Sequence, residues 1–208
     1  MVGPSLLVLA LLSGSTPDRS AAPPVLVPDW SMPGPLVLRG ETWALESDEI
    51  TIHLRQVNDE ERRNFIGQVT GLGIDPFASP AGEPARFLTY LVRIVNDGDE
   101  SLEFNPVHSW LTTNRKEILY PIGLTDLQSI YHEGGLELPA AYERIAPAVL
   151  EYARTIERGT TIAGLLVYSM VNARTRSCQI DIELTRTNGK AVLFAAPYRR
   201  PPKGESGS

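Results

Sequence analysis

Residues 87–95, FLTYLVRIV, are apolar or β-favouring at almost every position, with Leu88, Tyr90, Val92 and Ile94 on one face of an extended chain and Phe87, Leu91 and Val95 on the other. A strand reads this way when both of its faces are covered. The run stops at Asn96-Asp97-Gly98-Asp99, whose turn chemistry permits positive φ, and Leu102-Glu103-Phe104 resumes the alternation. That pattern predicts a strand folding back on itself. Residues 161–170 are doubly apolar again, with Ile162, Leu166, Tyr168 and Met170 against Ala163, Leu165 and Val167. Gly164 within them marks a close approach of a neighbouring backbone or a bulge. The two greasy segments are expected to lie back to back in the middle of opposing layers.

Between and around them the period changes. Residues 36–38 and 42–45 are short strand candidates separated by Gly40, and residues 49–57, EITIHLRQV, alternate Ile50, Ile52 and Leu54 with Thr51, His53 and Arg55, the mark of a strand with one face in the core. Residues 58–70 switch to helical spacing, with Asn58 or Asp59 as N-cap, Glu60 and Glu61 at the positive end of the dipole, and Phe65, Ile66 and Val69 on one stripe. A short helix over a sheet edge is expected there, followed by a loop at 71–84. Strands are predicted at 107–113 and 117–122, one or two helical turns at 125–132 ending at Gly134-Gly135, and two short helices or one broken by Pro147 across 139–153. Residues 155–157 precede a turn at Arg158-Gly159, and Asn188-Gly189 between 177–187 and 190–195 is the strongest local hairpin signal in the chain. About seven to nine short strands at roughly ten-residue spacing favour a two-sheet sandwich over an up-and-down barrel.

The ends read differently. Residues 5–12, SLLVLALL, have the length of a signal-peptide core and are too short to span a bilayer; Ser20-Ala21-Ala22 offers a cleavage site, with Ser13-Gly14-Ser15 as a competitor. The organisation predicted is a signal peptide at 1–22, a Pro-rich linker at 23–35, a β-sandwich domain at 36–198 with helical insertions near 58–84 and 123–154, and a disordered tail at 199–208. Trp30 and Met32 are odd in a spacer, and either dock on the domain or form a sticky segment for a partner. A length of 208 residues supports one core. A net charge of −6 without a basic stripe argues against nucleic-acid binding. Cys178 is the only cysteine, so no internal disulfide forms, and its place among Ile180, Ile182 and Leu184 reads as a buried small hydrophobe.

The succession RFLTYLVRIVNDGDESLEFNP, a strand and turn, then RTIERGTTIAGLLVYSM resembles the exported bacterial immunoglobulin-like, telokin-like sandwich domains. Val92-Arg93-Ile94-Val95-Asn96 stands for the family's strand end before a polar turn. Residues 156–160 stand for its turn, with Arg158 and Thr160 departing from the pattern, and residues 164–168 for the strand that follows. The likeness spans residues 50–194 and implies an immunoglobulin-like antiparallel fold, mainly β, and an envelope location. It hands over no catalytic residue.

Candidate chemistry is sparse. His53, His108 and His132 have no metal-binding spacing, no nucleophile elbow occurs, and Gly71-Leu72-Gly73 lacks the lysine and helix of a phosphate loop. Asn96-Asp97-Gly98-Asp99-Glu100 lacks the distal acid of a calcium loop and reads as a turn. The Glu60, Glu61, Arg62, Arg63 run reads as a solvated helix face. Trp43, Trp110, Tyr120, Tyr131 and Tyr142 either form a stacking surface for sugars or, for Trp110 and the tyrosines, fill the core. No catalytic, cofactor-binding or metal residue is therefore assigned. The expectation is a non-enzymatic, exported binding or assembly module, periplasmic or secreted, without cofactor or transmembrane span, that contacts another envelope protein through its insertions; the alternatives are a carbohydrate-binding or inhibitor-like domain and an enzyme with an unrecognised site.

Overall fold

A computed structural model describes residues 26–29, 36–79, 85–135 and 137–201. The segment read as a signal peptide, Trp30 and Met32, and residues 202–208 lie outside them. The fold is mainly β, with two antiparallel sheets. The first has the order β2-β3-β4-β5-β9, formed by Val37–Arg39, Thr42–Glu46, Ile50–Val57, Phe87–Asn96 and Thr160–Ser169. The second runs β1-β11-β10-β6, from Val27–Pro28, Ala191–Arg199, Ser177–Arg186 and Leu102–Thr113. On the far side of β6 sit two short pieces, β7 (Ile118–Leu119) and β8 (Arg154–Ile156).

One core lies between the sheets. Ile52, Leu54, Leu88, Val92, Ile94 and Leu166 from the first meet Phe104, Leu111, Ile180, Ile182, Leu184 and Phe194 from the second. Each such side chain, fully buried, stabilises the fold by about 1.5–3 kcal/mol relative to exposure. Trp43 is buried, and its indole N–H donates to the Pro197 carbonyl at 2.9 Å, which ties β3 to β11 across the layers. A second apolar cluster covers the other face of β5 and β9. There Phe87, Leu91, Leu165 and Val167 pack against Phe65 and Ile66 of α1 (Asp59–Thr70), Leu124 and Leu127 of α2 (Leu124–Glu133), and Ile145 and Ala148 of a 3-10 helix, Tyr142–Ala148. The doubly apolar pattern of both strands follows directly: one face meets a sheet and the other a helical layer.

The partnership of these two strands differs from expectation. Rather than sitting in opposing layers, β5 and β9 are hydrogen-bonded neighbours in register from Phe87↔Ser169 to Asn96↔Thr160. Two strands that both need two cover layers satisfy that need most economically side by side. Nor does the turn after β5 close a hairpin. It carries the chain from the first sheet into β6 of the second, and the Arg158-Gly159 turn carries it back from β8 to β9. Asn96 joins the two crossings. Its buried Nδ2 donates to the carbonyls of Glu100 and Ile156, both at 2.8 Å, and its own carbonyl accepts the Gly159 N–H at 2.7 Å.

Other local readings are met in detail. Asn58 caps α1 and accepts the Glu61 N–H, while Glu61 accepts the Asn58 N–H in return. The helix lies on the face of the first sheet, not its edge. Gly164 is a close approach: a Cβ there would come within 2.7 Å of Leu150 Cγ and 3.3 Å of the Ala148 carbonyl. The Asn188-Gly189 hairpin joins β10 to β11, with Gly189 at φ 79°. Asn105-Pro106 does not separate two strands but interrupts the pairing of one. Phe104 opposes Leu184 and Ser109 opposes Ile182, so residues 105–108 face Glu183 alone, an irregularity where proline loses no ladder bond.

At the ends, Leu26 is buried in the core and Val27–Pro28 adds an edge strand to β11, inside the stretch read as linker. Arg199, the first residue of the expected tail, is the last of β11, and Arg200 donates from Nε to the Thr175 carbonyl at 2.6 Å.

Replacing Asn96 with alanine leaves the buried Ile156 carbonyl and the half-buried Glu100 carbonyl without this donor, and the variant is expected to lose about 2 kcal/mol. Urea unfolding checks this: the midpoint falls while the denaturant slope stays that of the parent chain.

Candidate functional site

Among the described residues, an open groove of about 380 Å³ lies on the helical layer, lined by Gln128, Tyr131 and His132 of α2 and by Leu138, Pro139, Ala140, Ala141, Tyr142 and Glu143. Spacing explains the first wall, because residues 128, 131 and 132 share a helix face while Leu124 and Leu127 turn inward to the core. The helix is held at both ends. The Glu151 carboxylate accepts the Leu124 N–H at 2.7 Å and the Asp126 carboxylate accepts the Gly123 N–H at 2.8 Å. One turn from its far end, the Tyr131 hydroxyl donates to the Pro76 carbonyl at 2.6 Å. The second wall enters the 3-10 helix through Ala141, a non-glycine residue at φ 60°. Left-handed backbone at alanine is uncommon and persists only where its surroundings hold it. Here the Ala141 carbonyl accepts the Arg144 N–H at 3.0 Å, and the helix that follows is anchored by buried Ile145 and Ala148.

Electrostatically the groove is mild. Burial, then Asp75, raises the Tyr131 phenol above its ordinary range, and Tyr142 is raised by desolvation and then by Glu143. Both rings are therefore neutral at physiological pH and can offer π faces and hydroxyls, while Gln128, His132 and Glu143 supply polar contacts.

The structure scatters the three histidines over three elements, and only His132 reaches the groove. His53 is on β4 beside Glu46, 4.0 Å away, and opposite Arg93. His108 sits in the irregular part of β6, 3.9 Å from Glu183. Among the described residues, no three His, Cys, Asp or Glu side chains come together to hold a metal ion. Of the aromatic set, Tyr131 and Tyr142 share the groove, Trp43 is core and Tyr120 is exposed on its own. Trp110, expected either in that set or in the core, is half-buried on β6 opposite Asp181. The tyrosines that do fill the core are Tyr90, Tyr168 and Tyr198. Cys178 is buried there, and desolvation pushes its thiol up to about 12.

Arg62 overturns the solvated reading of the charged run. Its side chain is 1% exposed, as is that of Asp75. Nε donates to both Asp75 carboxylate oxygens at 3.1 and 3.0 Å, and Nη1 donates to Thr89 Oγ1 on β5 at 3.2 Å. Nη2 lies 2.9 Å from Asp75 Oδ2 in ionic contact, without a well-formed hydrogen bond. Asp75 also accepts the Phe77 N–H at 3.0 Å, so this pair fixes the loop that carries Pro76, the anchor of Tyr131. The signal was present in the helical stripe: Arg62 precedes Phe65 by three residues and Ile66 by four.

Comparison with known proteins adds little at this point. No protein-family model matches the chain, and no curated protein matches it. Among solved structures, the yjhA protein from Bacillus subtilis is similar at a TM-score of 0.40 and 14% identity, over 74% of this chain and 94% of that one. A FixG-related protein from Vibrio parahaemolyticus is similar at 0.35 and 11%, over 74% and 98%. Likenesses at this level decide neither fold nor function.

Two measurements test this arrangement. Arg62→Met strands a buried carboxylate and is expected to cost about 3–5 kcal/mol, with much of the loss recovered when Asp75 is also made Asn. Burial, then Arg93, lowers the His53 pKa below its ordinary value against a weaker opposing pull from Glu46. The folded state thus binds that proton less readily than the unfolded chain, and its stabilising contribution is lost as pH falls from about 6.5 towards the lowered value. In His53→Gln, the urea midpoint is expected to fall less steeply across that window than in the parent.

Proposed function

We propose that this chain is a non-enzymatic, exported binding module of the bacterial envelope, an immunoglobulin-like sandwich of the telokin-like kind that engages a protein partner through the groove between α2 and the 3-10 helix. The observation that carries the reading is the groove itself: it is open and mildly polar, with two neutral tyrosines, on a helical layer pinned to a rigid sheet. Sites on loops and insertions of a stable scaffold are where folds of this kind vary their contacts. Among the described residues no helix is long and apolar enough to cross a membrane, and export rests on the apolar run at residues 5–12.

A carbohydrate ligand is the second reading, favoured by Tyr131 and Tyr142 lining one groove, since aromatic faces can stack on sugar rings. A photo-crosslinking residue at Glu143, compared with one at Thr161 on the far strand, separates the two in envelope extract of the source organism. The protein reading expects one discrete adduct from position 143, none from 161, and its loss in Tyr142→Ala with an unchanged unfolding midpoint. Absence of any adduct together with glycan-array binding reverses the order of the two readings.

A further inference from the structure

The interior between the sheets is not uniformly apolar. At the end where β4, β9 and β11 finish and β5 and β10 begin, Gln56 and Tyr90 are cross-strand partners on β4 and β5. Tyr168 lies on the adjoining β9, and Tyr198 faces them from β11, paired with Cys178. The Tyr90 ring stands edge-to-face to Tyr198 at 5.2 Å and to Tyr168 at 6.0 Å between centroids. All three tyrosines are 0% exposed. Their hydroxyl oxygens and Gln56 Oε1 are buried, and none forms a hydrogen bond within the protein.

Buried hydroxyls and amides nearly always find a partner, because losing water without replacing it destabilises the fold. Four unpaired groups at one end of the core, on adjoining strands, are more than a marginally stable domain readily tolerates. Phenylalanine would fill the same space without the difficulty, yet three tyrosines stand there. Desolvation holds the phenols and the Cys178 thiol in their neutral forms, so each hydroxyl both donates and accepts and no ion is called for. Gln56 Oε1 only accepts.

We propose that this end of the core is a built internal hydration site, in which ordered water bridges the hydroxyls of Tyr90, Tyr168 and Tyr198 and the side-chain carbonyl of Gln56. A water molecule donates two hydrogen bonds and accepts two, so one matches these four groups in number, and two to four polar partners are what buried waters have. Such a water links β4, β5 and β9 of one sheet to β11 of the other.

The test uses single Tyr90→Phe, Tyr168→Phe and Tyr198→Phe variants of the full chain, which keep the ring packing and remove one hydroxyl each. Bridging water makes each hydroxyl useful, so the unfolding equilibrium constant is expected to rise about five-fold or more in each variant. Oxygen-17 relaxation dispersion of the parent is expected to show a long-lived internal water whose signal falls in Tyr90→Phe. Variants as stable as the parent, or more stable, overturn the proposal, because deleting an unsatisfied hydroxyl relieves the fold. Destabilised variants without a long-lived water in the parent overturn it too, in favour of direct bonds between the phenols.

Discussion

A pair of adjacent strands with apolar side chains on both faces sets the constraint that everything else answers. β5 and β9 cannot leave either face in water, so the chain must supply a sheet on one side and something equally apolar on the other. The second sheet, the two α-helices and the 3-10 helix are the answer. The helical segments that read as insertions form a third layer over the two sheets, with Phe65, Leu127 and Ile145 as deeply buried as many residues between the sheets.

Most elements were legible because local chemistry dictates them. The Asn58 N-cap, the Asn188-Gly189 hairpin and the tight approach at Gly164 all follow from a few neighbouring residues, and all are found; Pro147, read as an interruption, lies inside the 3-10 helix Tyr142–Ala148. What periodicity cannot carry is partnership. Residues 87–95 and 161–170 announce that both faces are covered but not by what, and a turn such as residues 96–99 can close a hairpin or cross between layers with the same composition. Only Asn96, meeting Ile156 sixty residues away, distinguishes the two, and that contact is non-local.

The groove was visible in pieces. Tyr131, Tyr142 and His132 stood out as residue types, yet their juxtaposition depends on how α2 and the 3-10 helix settle on β9. Arg62 was hidden by its neighbours: within a run of four charges it reads as surface, although its helical phase matches Phe65 and Ile66. The core tyrosines were hidden by their strands, since inward alternation marks Tyr90, Tyr168 and Tyr198 as core without revealing that their rings meet edge to face.

The Gly164 contact brings with it a second row of bonds along β9. Leu150 donates its N–H to Leu165 and Ile122 donates to Val167, so the outer rim of that strand is already occupied by the chain's own backbone. An extended segment from another molecule would have to evict both before it could zip onto this flank. The edge strand that is apolar on both faces is thus guarded, along its outer flank, against the intermolecular strand addition that leads to aggregation.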